Sequence, residues 1–72
     1  METVDVIQRL HRERDALEAK TEKLCKFIAS RRHEELPDFQ REMLVAQYHA
    51  MQSYLGILKL RIADLMTPER VE

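Results

Sequence analysis

Apolar residues recur through the first half of the chain at spacings of three and four, or sums of these, as in an amphipathic α-helix. They form a narrow stripe of Ile7, Leu10, Leu17, Leu24 and Ile28. The same stripe carries Arg14 and Thr21, polar residues that cost stability in a helical seam but can set its register. The pattern predicts a first helix over about residues 3–31, with Thr3 as its N-cap.

The second half carries an uninterrupted apolar seam and a second set of apolar residues beside it. We call the first set the main seam: Leu44, Tyr48, Met51, Leu55, Leu58, Ile62 and Leu65. The residues off that line are Met43, Val45, Ala46, Ala50, Tyr54, Ile57 and Leu60. The pattern predicts a second helix over about residues 38–66 that is apolar around most of its circumference. Such a helix must be buried on most of its surface.

Pro37 separates the two predicted helices. Its ring disfavours a helical conformation at Leu36, and Pro is well suited to the first turn of a new helix. We therefore expect a short corner over residues 32–37 that joins antiparallel helices, and a frayed tail over residues 67–72. The alternative is an open corner, through which two chains exchange helices.

The predicted fold is a single all-α domain, an antiparallel two-helix hairpin that dimerises into a four-helix bundle. A chain of 72 residues buries too little surface for a large stability margin, and its single cysteine, Cys25, excludes an internal disulfide. A second copy is therefore expected to cover the second helix. Ala50 and Gly56 belong to a row of small residues that predicts close helix contact in this core. Higher even-numbered oligomers are an alternative.

Charge and motifs exclude several classes of function. The net charge is −1, so nucleic-acid binding is not expected, and no signal peptide or apolar stretch long enough to span a membrane is visible. The three histidines are scattered, the chain has one glycine, and no spacing typical of a zinc site occurs. We expect a cytoplasmic protein that is not an enzyme and carries no cofactor or metal.

Recognition of a partner or ligand is the remaining class. Aromatic and methionine side chains are enriched at contact surfaces, which makes Phe39, Met43, Gln47, Met51 and Tyr54 candidates. Pockets between chains are expected to combine basic and aromatic walls, drawn from Arg12, Lys26 and Arg61 with Tyr48 or Tyr54. The alternative assigns the apolar members of these sets to the dimer core.

Two motifs resemble a known family. The first helix carries Leu-x-x-Phe-Ile at Leu24, Phe27 and Ile28. The second carries a longer pattern at Leu44, Gln47, Met51, Tyr54, Leu58, Arg61 and Ile62. Over about residues 7–62 the chain resembles a family of small two-helix accessory proteins of tailed phages and prophages. Thr21 and Cys25 depart from that pattern, where an apolar and a polar residue respectively are expected.

The resemblance implies a small phage-encoded protein that acts in the host bacterial cytoplasm without catalysis. It would bind and inhibit a host protein, such as a regulator, a transcription factor or a defence component. The alternative is an oligomeric sponge that sequesters a cyclic-nucleotide or related immune signal. A purely structural or assembly role is the third interpretation. The expected partners are a second copy of the chain and either a host protein or a nucleotide signal.

Overall fold

The computed structural model describes residues 2–67, and every regular element in that range is a helix. In chain order these are α1 (Glu2–Ile28), α2 (Arg31–Glu34) and α3 (Asp38–Met66). The all-α prediction is confirmed. Of the tail predicted over residues 67–72, all but the first residue lies outside the described part of the chain.

The long helices α1 and α3 pack side by side in opposite directions. The start of α1 lies against the end of α3, where Leu10 packs with Leu58 and Ile62. Further along the pair, Lys59 Nζ of α3 lies 3.4 Å from Glu18 Oε2 of α1. The molecule is accordingly an elongated rod measuring 53 × 24 × 15 Å. No helix within residues 2–67 combines the length and the hydropathy needed to cross a membrane.

The corner differs from the predicted plain turn. α1 ends at Ile28, three residues before the expected end, and Arg31–Glu34 forms a separate helical turn. The break lies at Ser30, whose hydroxyl and backbone N–H both donate to the Phe27 carbonyl, at 2.6 and 2.9 Å. A serine that bonds back to the chain in this way competes with continuation of the helix. Pro37 has a φ of −57°, as its ring requires, and an extended ψ of 151°, so it lies directly before α3 rather than in the first turn of that helix.

The apolar core is small and lies toward the open end of the hairpin. Leu58 is 0% exposed, and Leu10 and Ile62 are each 5% exposed. Val6 and Leu17 are partly buried and pack against these three side chains. With so few buried apolar side chains among the described residues, each one carries a large share of the hairpin's stability.

The two polar residues in the apolar stripe of α1, and the cysteine near its end, have different environments. Thr21 is buried, and its hydroxyl donates to the Leu17 carbonyl at 2.7 Å, so the polar group is satisfied within its own helix. The half-buried Arg14 side chain directs its guanidinium to Asp15, 3.0 Å away. Cys25, at a position where the family pattern has a polar residue, is exposed.

The main seam of α3 faces α1 along most of its length. Leu58 and Ile62 are buried, and Leu65 remains 37% exposed. The half-buried members are Leu44, Tyr48, Met51 and Leu55. The other sides of α3 have no covering element among residues 2–67, which leaves a second apolar surface on the helix.

Candidate functional site

A cluster of charged and aromatic side chains lies at the open end of the hairpin. Its cavity, of about 270 Å³, is lined by Val6, Arg9, Leu10, Glu13 and Arg61. The four α1 residues follow helical spacing and therefore share one face of that helix. Tyr54 of α3 reaches the same cluster through Glu13. We call these six residues the open-end site.

Hydrogen bonding fixes the charge state of the tyrosine at the open-end site. The Tyr54 hydroxyl donates to the Glu13 carboxylate, and this bond raises the pKa of Tyr54. Desolvation and the negative charge of Glu13 act in the same direction, while Arg61 opposes them. Tyr54 is therefore a protonated donor at neutral pH. With Arg9 and Arg61 both charged, the site carries an excess of positive charge over the one carboxylate.

A second polar contact joins the two long helices nearer their middle. The Cys25 thiol raises the pKa of Tyr48 by hydrogen bonding, and desolvation adds to the shift. Gln52 Nε2 donates to the Tyr48 hydroxyl at 2.8 Å and acts in the opposite direction. This group links α1 to α3, and none of its three residues lines the open-end cavity.

A larger cavity, of about 590 Å³, lies at the corner. We call its lining the corner site: His33, Asp38, Arg41, Glu42 and Val45. His33 is 8% exposed, and its ring meets Phe27 edge to face with centroids 6.0 Å apart. The Arg41 guanidinium forms an ion pair with Asp38. His33 Nε2 and Arg41 Nε are buried and have no hydrogen-bond partner within residues 2–67.

The exposed side of α3 carries a second apolar seam. Its members recur at alternating spacings of four and three, and we call the set the outer seam: Phe39, Met43, Ala46, Ala50, Ser53, Ile57 and Leu60. All seven are exposed in the single chain. The three central members are small, and the members toward both ends are large.

The structure brings only some of the sequence-predicted binding residues together. Arg61 lines the open-end site and Tyr54 contacts it through Glu13, whereas Arg12 and Lys26 are exposed and line neither cavity. Phe39 and Met43 lie on the outer seam.

Two further candidates from the sequence lie together on α3. The exposed Gln47 directs its amide to the Met51 sulfur, 3.9 Å away.

Gly56 is exposed, and a Cβ built on it would meet nothing within 4 Å, so the hairpin itself does not require glycine there.

Sequence reasoning missed Arg9 and Glu13 of the open-end site and the whole corner site. Arg9 and Glu13 are four residues apart and therefore lie on one helix face, on either side of Leu10 in the sequence. This spacing is the signal that identifies them as neighbours of the apolar stripe. Within the described part of the chain, no group of three or more His, Cys, Asp or Glu side chains could hold a metal ion.

A family model described as Sequestin matches residues 4–64. The chain belongs to the Sequestin family. The matched range includes all residues of the open-end site, the corner site and the outer seam. The comparisons with curated proteins and with solved structures gave no match.

Proposed function

We propose that this Sequestin family member acts by sequestration: a homodimer binds a nucleotide-type signal molecule and holds it without changing it. The family name itself suggests a sequestering or binding function. The observation that carries the proposal is the open-end site, where Arg9 and Arg61 line one cavity and Tyr54 is hydrogen-bonded to Glu13 of the same lining.

The chemistry of the open-end site suits a phosphorylated ligand with an organic ring. Guanidinium groups match phosphate oxygens in a two-pronged geometry, and Arg9 and Arg61 supply two of them. Val6 and Leu10 provide apolar wall. Ligand pockets usually measure about 300–1,000 Å³. The open-end cavity is slightly smaller than that range, so it fits one part of a nucleotide signal.

The protonation states at the open-end site favour binding over catalysis. A general base must be able to accept a proton near neutral pH. Tyr54 has a raised pKa and is already engaged in donating to Glu13. The arginines remain charged and act as donors. These groups hold a ligand, and stoichiometric retention is the expected activity.

Self-association is the second part of the proposal, and the outer seam supports it. In an antiparallel pairing centred on Ala50, Phe39 faces Leu60 of the second copy and Met43 faces its Ile57. The small residues Ala46, Ala50 and Ser53 then meet at the crossing, where they allow the backbones to approach closely. A self-complementary surface of this kind is what a two-fold dimer requires. The product is the predicted four-helix bundle.

We further propose, from the resemblance to tailed-phage proteins, that the sequestered signal is one that a bacterial host produces in its cytoplasm. A second candidate function is the binding and inhibition of a host protein. The exposure of Phe39, Met43 and Leu60 favours it, because large apolar side chains left uncovered along one helix face are typical of a protein interface.

Ligand binding is tested by isothermal titration calorimetry with a panel of cyclic mono- and dinucleotides. We expect saturable binding at a fixed stoichiometry, and recovery of the unchanged nucleotide by mass spectrometry after the protein is denatured. Arg9→Ala and Arg61→Ala should each weaken binding by about tenfold or more, the loss of one charge-assisted hydrogen bond.

Arg12→Ala is the matched control, since Arg12 lies on the same helix as Arg9, is exposed and does not line the cavity. Equal loss in all three variants would indicate general charge attraction and would contradict the assignment of the open-end site. Conversion of the nucleotide would contradict sequestration itself.

Dimerisation is tested by sedimentation equilibrium. Ala50→Glu, at the centre of the outer seam, should give a monomer, whereas Ala63→Glu should leave the dimer intact. Both alanines are exposed on α3, and Ala63 lies off the outer seam. A wild-type protein that remains monomeric would leave the outer seam free and would favour the host-protein candidate.

A further inference from the structure

The corner site is absent from the proposed sequestration mechanism, yet it has the features of a built ligand site. Its volume of about 590 Å³ lies within the usual range of small-molecule pockets. Buried polar groups are nearly always hydrogen-bonded, so two unpaired buried nitrogens that belong to residues lining the same cavity call for an explanation. Those nitrogens are His33 Nε2 and Arg41 Nε, which have no hydrogen-bond partner in the described range 2–67.

The position of the imidazole is set by its surroundings. His33 is more than nine-tenths buried in α2, and the edge-to-face contact with Phe27 holds the ring from one side. The Nε2 atom can donate or accept a hydrogen bond, depending on the tautomer, whereas Arg41 Nε can only donate. The lining of the cavity therefore holds at least one donor without a partner and a second group that can donate or accept.

The acidic residues of the corner site argue against a simple anion. Asp38 and Glu42 both line the cavity, and Arg41 is already paired with Asp38. A bare phosphate would meet two carboxylates and one partly neutralised guanidinium. A ligand that presents acceptors and donors side by side matches this lining better, because its donors meet the carboxylates and its acceptors meet Arg41 and His33.

We propose that the corner site binds the purine base of a nucleotide ligand. Ring nitrogens or the exocyclic oxygen of the base accept from Arg41 Nε and His33 Nε2, and the exocyclic amine donates to Asp38 or Glu42. The side chain of Val45 provides apolar surface against the base. Purines present two polar groups side by side on one edge, N7 with the exocyclic oxygen of guanine or the exocyclic amine of adenine, whereas the corresponding edge of a pyrimidine presents one. Within one chain the corner site and the open-end site lie at opposite ends of the hairpin, so one nucleotide reaches both only across the proposed antiparallel dimer, where the corner of one copy lies level with the open end of the other. This inference therefore rests on the proposed function, since it names the part of the signal that the corner recognises.

The test uses nucleosides, which carry no phosphate and therefore do not depend on the open-end site. Adenosine, guanosine, cytidine and uridine are titrated separately into the full-length protein, with the side-chain nitrogen signals of His33 and Arg41 followed by NMR. We expect adenosine, guanosine or both to shift these two signals, and the two pyrimidines to leave them in place. Which purine binds more tightly identifies the base.

Variants then assign the contacts. His33→Phe keeps a ring against Phe27 and removes the nitrogen, and Arg41→Lys keeps the charge but cannot place an N–H at the same point. Each should weaken purine binding by about tenfold or more, the size of one lost hydrogen bond. Arg32→Lys is the matched control, because Arg32 is an exposed residue of the same short helix as His33. Far-ultraviolet circular dichroism verifies that each variant is folded.

Three results would overturn the corner assignment. One is the absence of any shift at His33 and Arg41 with all four nucleosides; another is equal binding of purines and pyrimidines. The third is a response to inorganic phosphate alone, which would identify a simple anion site. Cyclic nucleotides that still bind in an Arg61-dependent way would then leave the sequestration proposal standing. Purine binding at the corner, without any binding of cyclic nucleotides, would instead overturn sequestration and leave the corner site.

Discussion

Replacement of Leu58 by alanine is the most direct test of the hairpin core. Leu58 is 0% exposed and packs with Leu10 and Ile62 from the two long helices. Leu60 lies two residues further along the same helix and is 73% exposed. The same substitution at Leu60 therefore has nearly the same effect on intrinsic helix propensity, and the comparison isolates burial.

The expected loss at Leu58 is large relative to the whole stability. Burying a leucine side chain contributes about 1.5–3 kcal/mol. Leucine-to-alanine changes in cores cost about 2–5 kcal/mol once the cavity is included. In a rod only 15 Å across its thinnest dimension, neighbouring side chains can partly collapse into the space, which favours the lower half of that range. Small single cores seldom supply more than about 3–5 kcal/mol, so Leu58→Ala should remove most of the hairpin's free energy of unfolding.

The assay is urea unfolding followed by circular dichroism, carried out at several protein concentrations. Leu58→Ala should lower the unfolding midpoint at every concentration, because it acts within one chain. Leu60→Ala should change the midpoint little at low concentration and more at high concentration, where the outer seam is paired. Equal losses for the two variants at low concentration would refute the packing of α1 on α3 described here.

Four further outcomes follow from individual residues. Glu13→Gln should lower the pKa of Tyr54 toward its ordinary value, because the charged acceptor is removed. The ultraviolet absorbance of tyrosinate measures this pKa, and an unchanged titration would contradict the Tyr54–Glu13 contact. Since folding raises that pKa, the contribution of Tyr54 to stability is present below about pH 10 and is lost as the pH rises through the folded pKa. Tyr54→Phe should reduce this alkaline loss in urea titrations. His33→Phe should raise the free energy of unfolding by about 1 kcal/mol, because it removes a buried nitrogen without a partner, and a decrease would count against that reading. Gly56→Ala should stabilise the helix by about 0.5–1 kcal/mol, since its Cβ meets open space in the single chain, whereas a loss of stability would indicate a second chain packed on Gly56.

Periodicity predicted the helical elements because it depends only on the order of residues along one chain. The repeat of the main seam identified α3, and Pro37 located the break before it. The early end of α1 was not predicted, because it depends on a competition at Ser30 between the helix and two bonds to the Phe27 carbonyl. Serine is compatible with both outcomes, so its identity alone does not decide between them.

The candidate sites were predicted in part for a related reason. Arg61 and Tyr54 lie on the strongly apolar helix, where charged or aromatic residues stand out. Arg9 and Glu13 lie on α1 among many charges of both signs, and their role appears only once the register of α1 against α3 is known. The corner site depends in addition on α2, a single helical turn that buries His33.

The small core links folding, association and ligand binding in this protein. A hairpin held by Leu10, Leu58 and Ile62 has little stability to spare, and the exposed outer seam offers a further apolar surface for a second copy to cover. A ligand that binds only the folded chain adds RT ln(1 + [L]/Kd), about 2.7 kcal/mol at a hundredfold excess over Kd. That gain is comparable to the loss expected from Leu58→Ala. A tight ligand should therefore restore much of the folded state of that variant, because Arg9 and Arg61 lie outside the damaged core although Leu10 belongs to both the core and the cavity lining. Rescue of Leu58→Ala by a cyclic nucleotide, and its absence in the double variant with Arg61→Ala, would connect the open-end site to the stability of the whole fold.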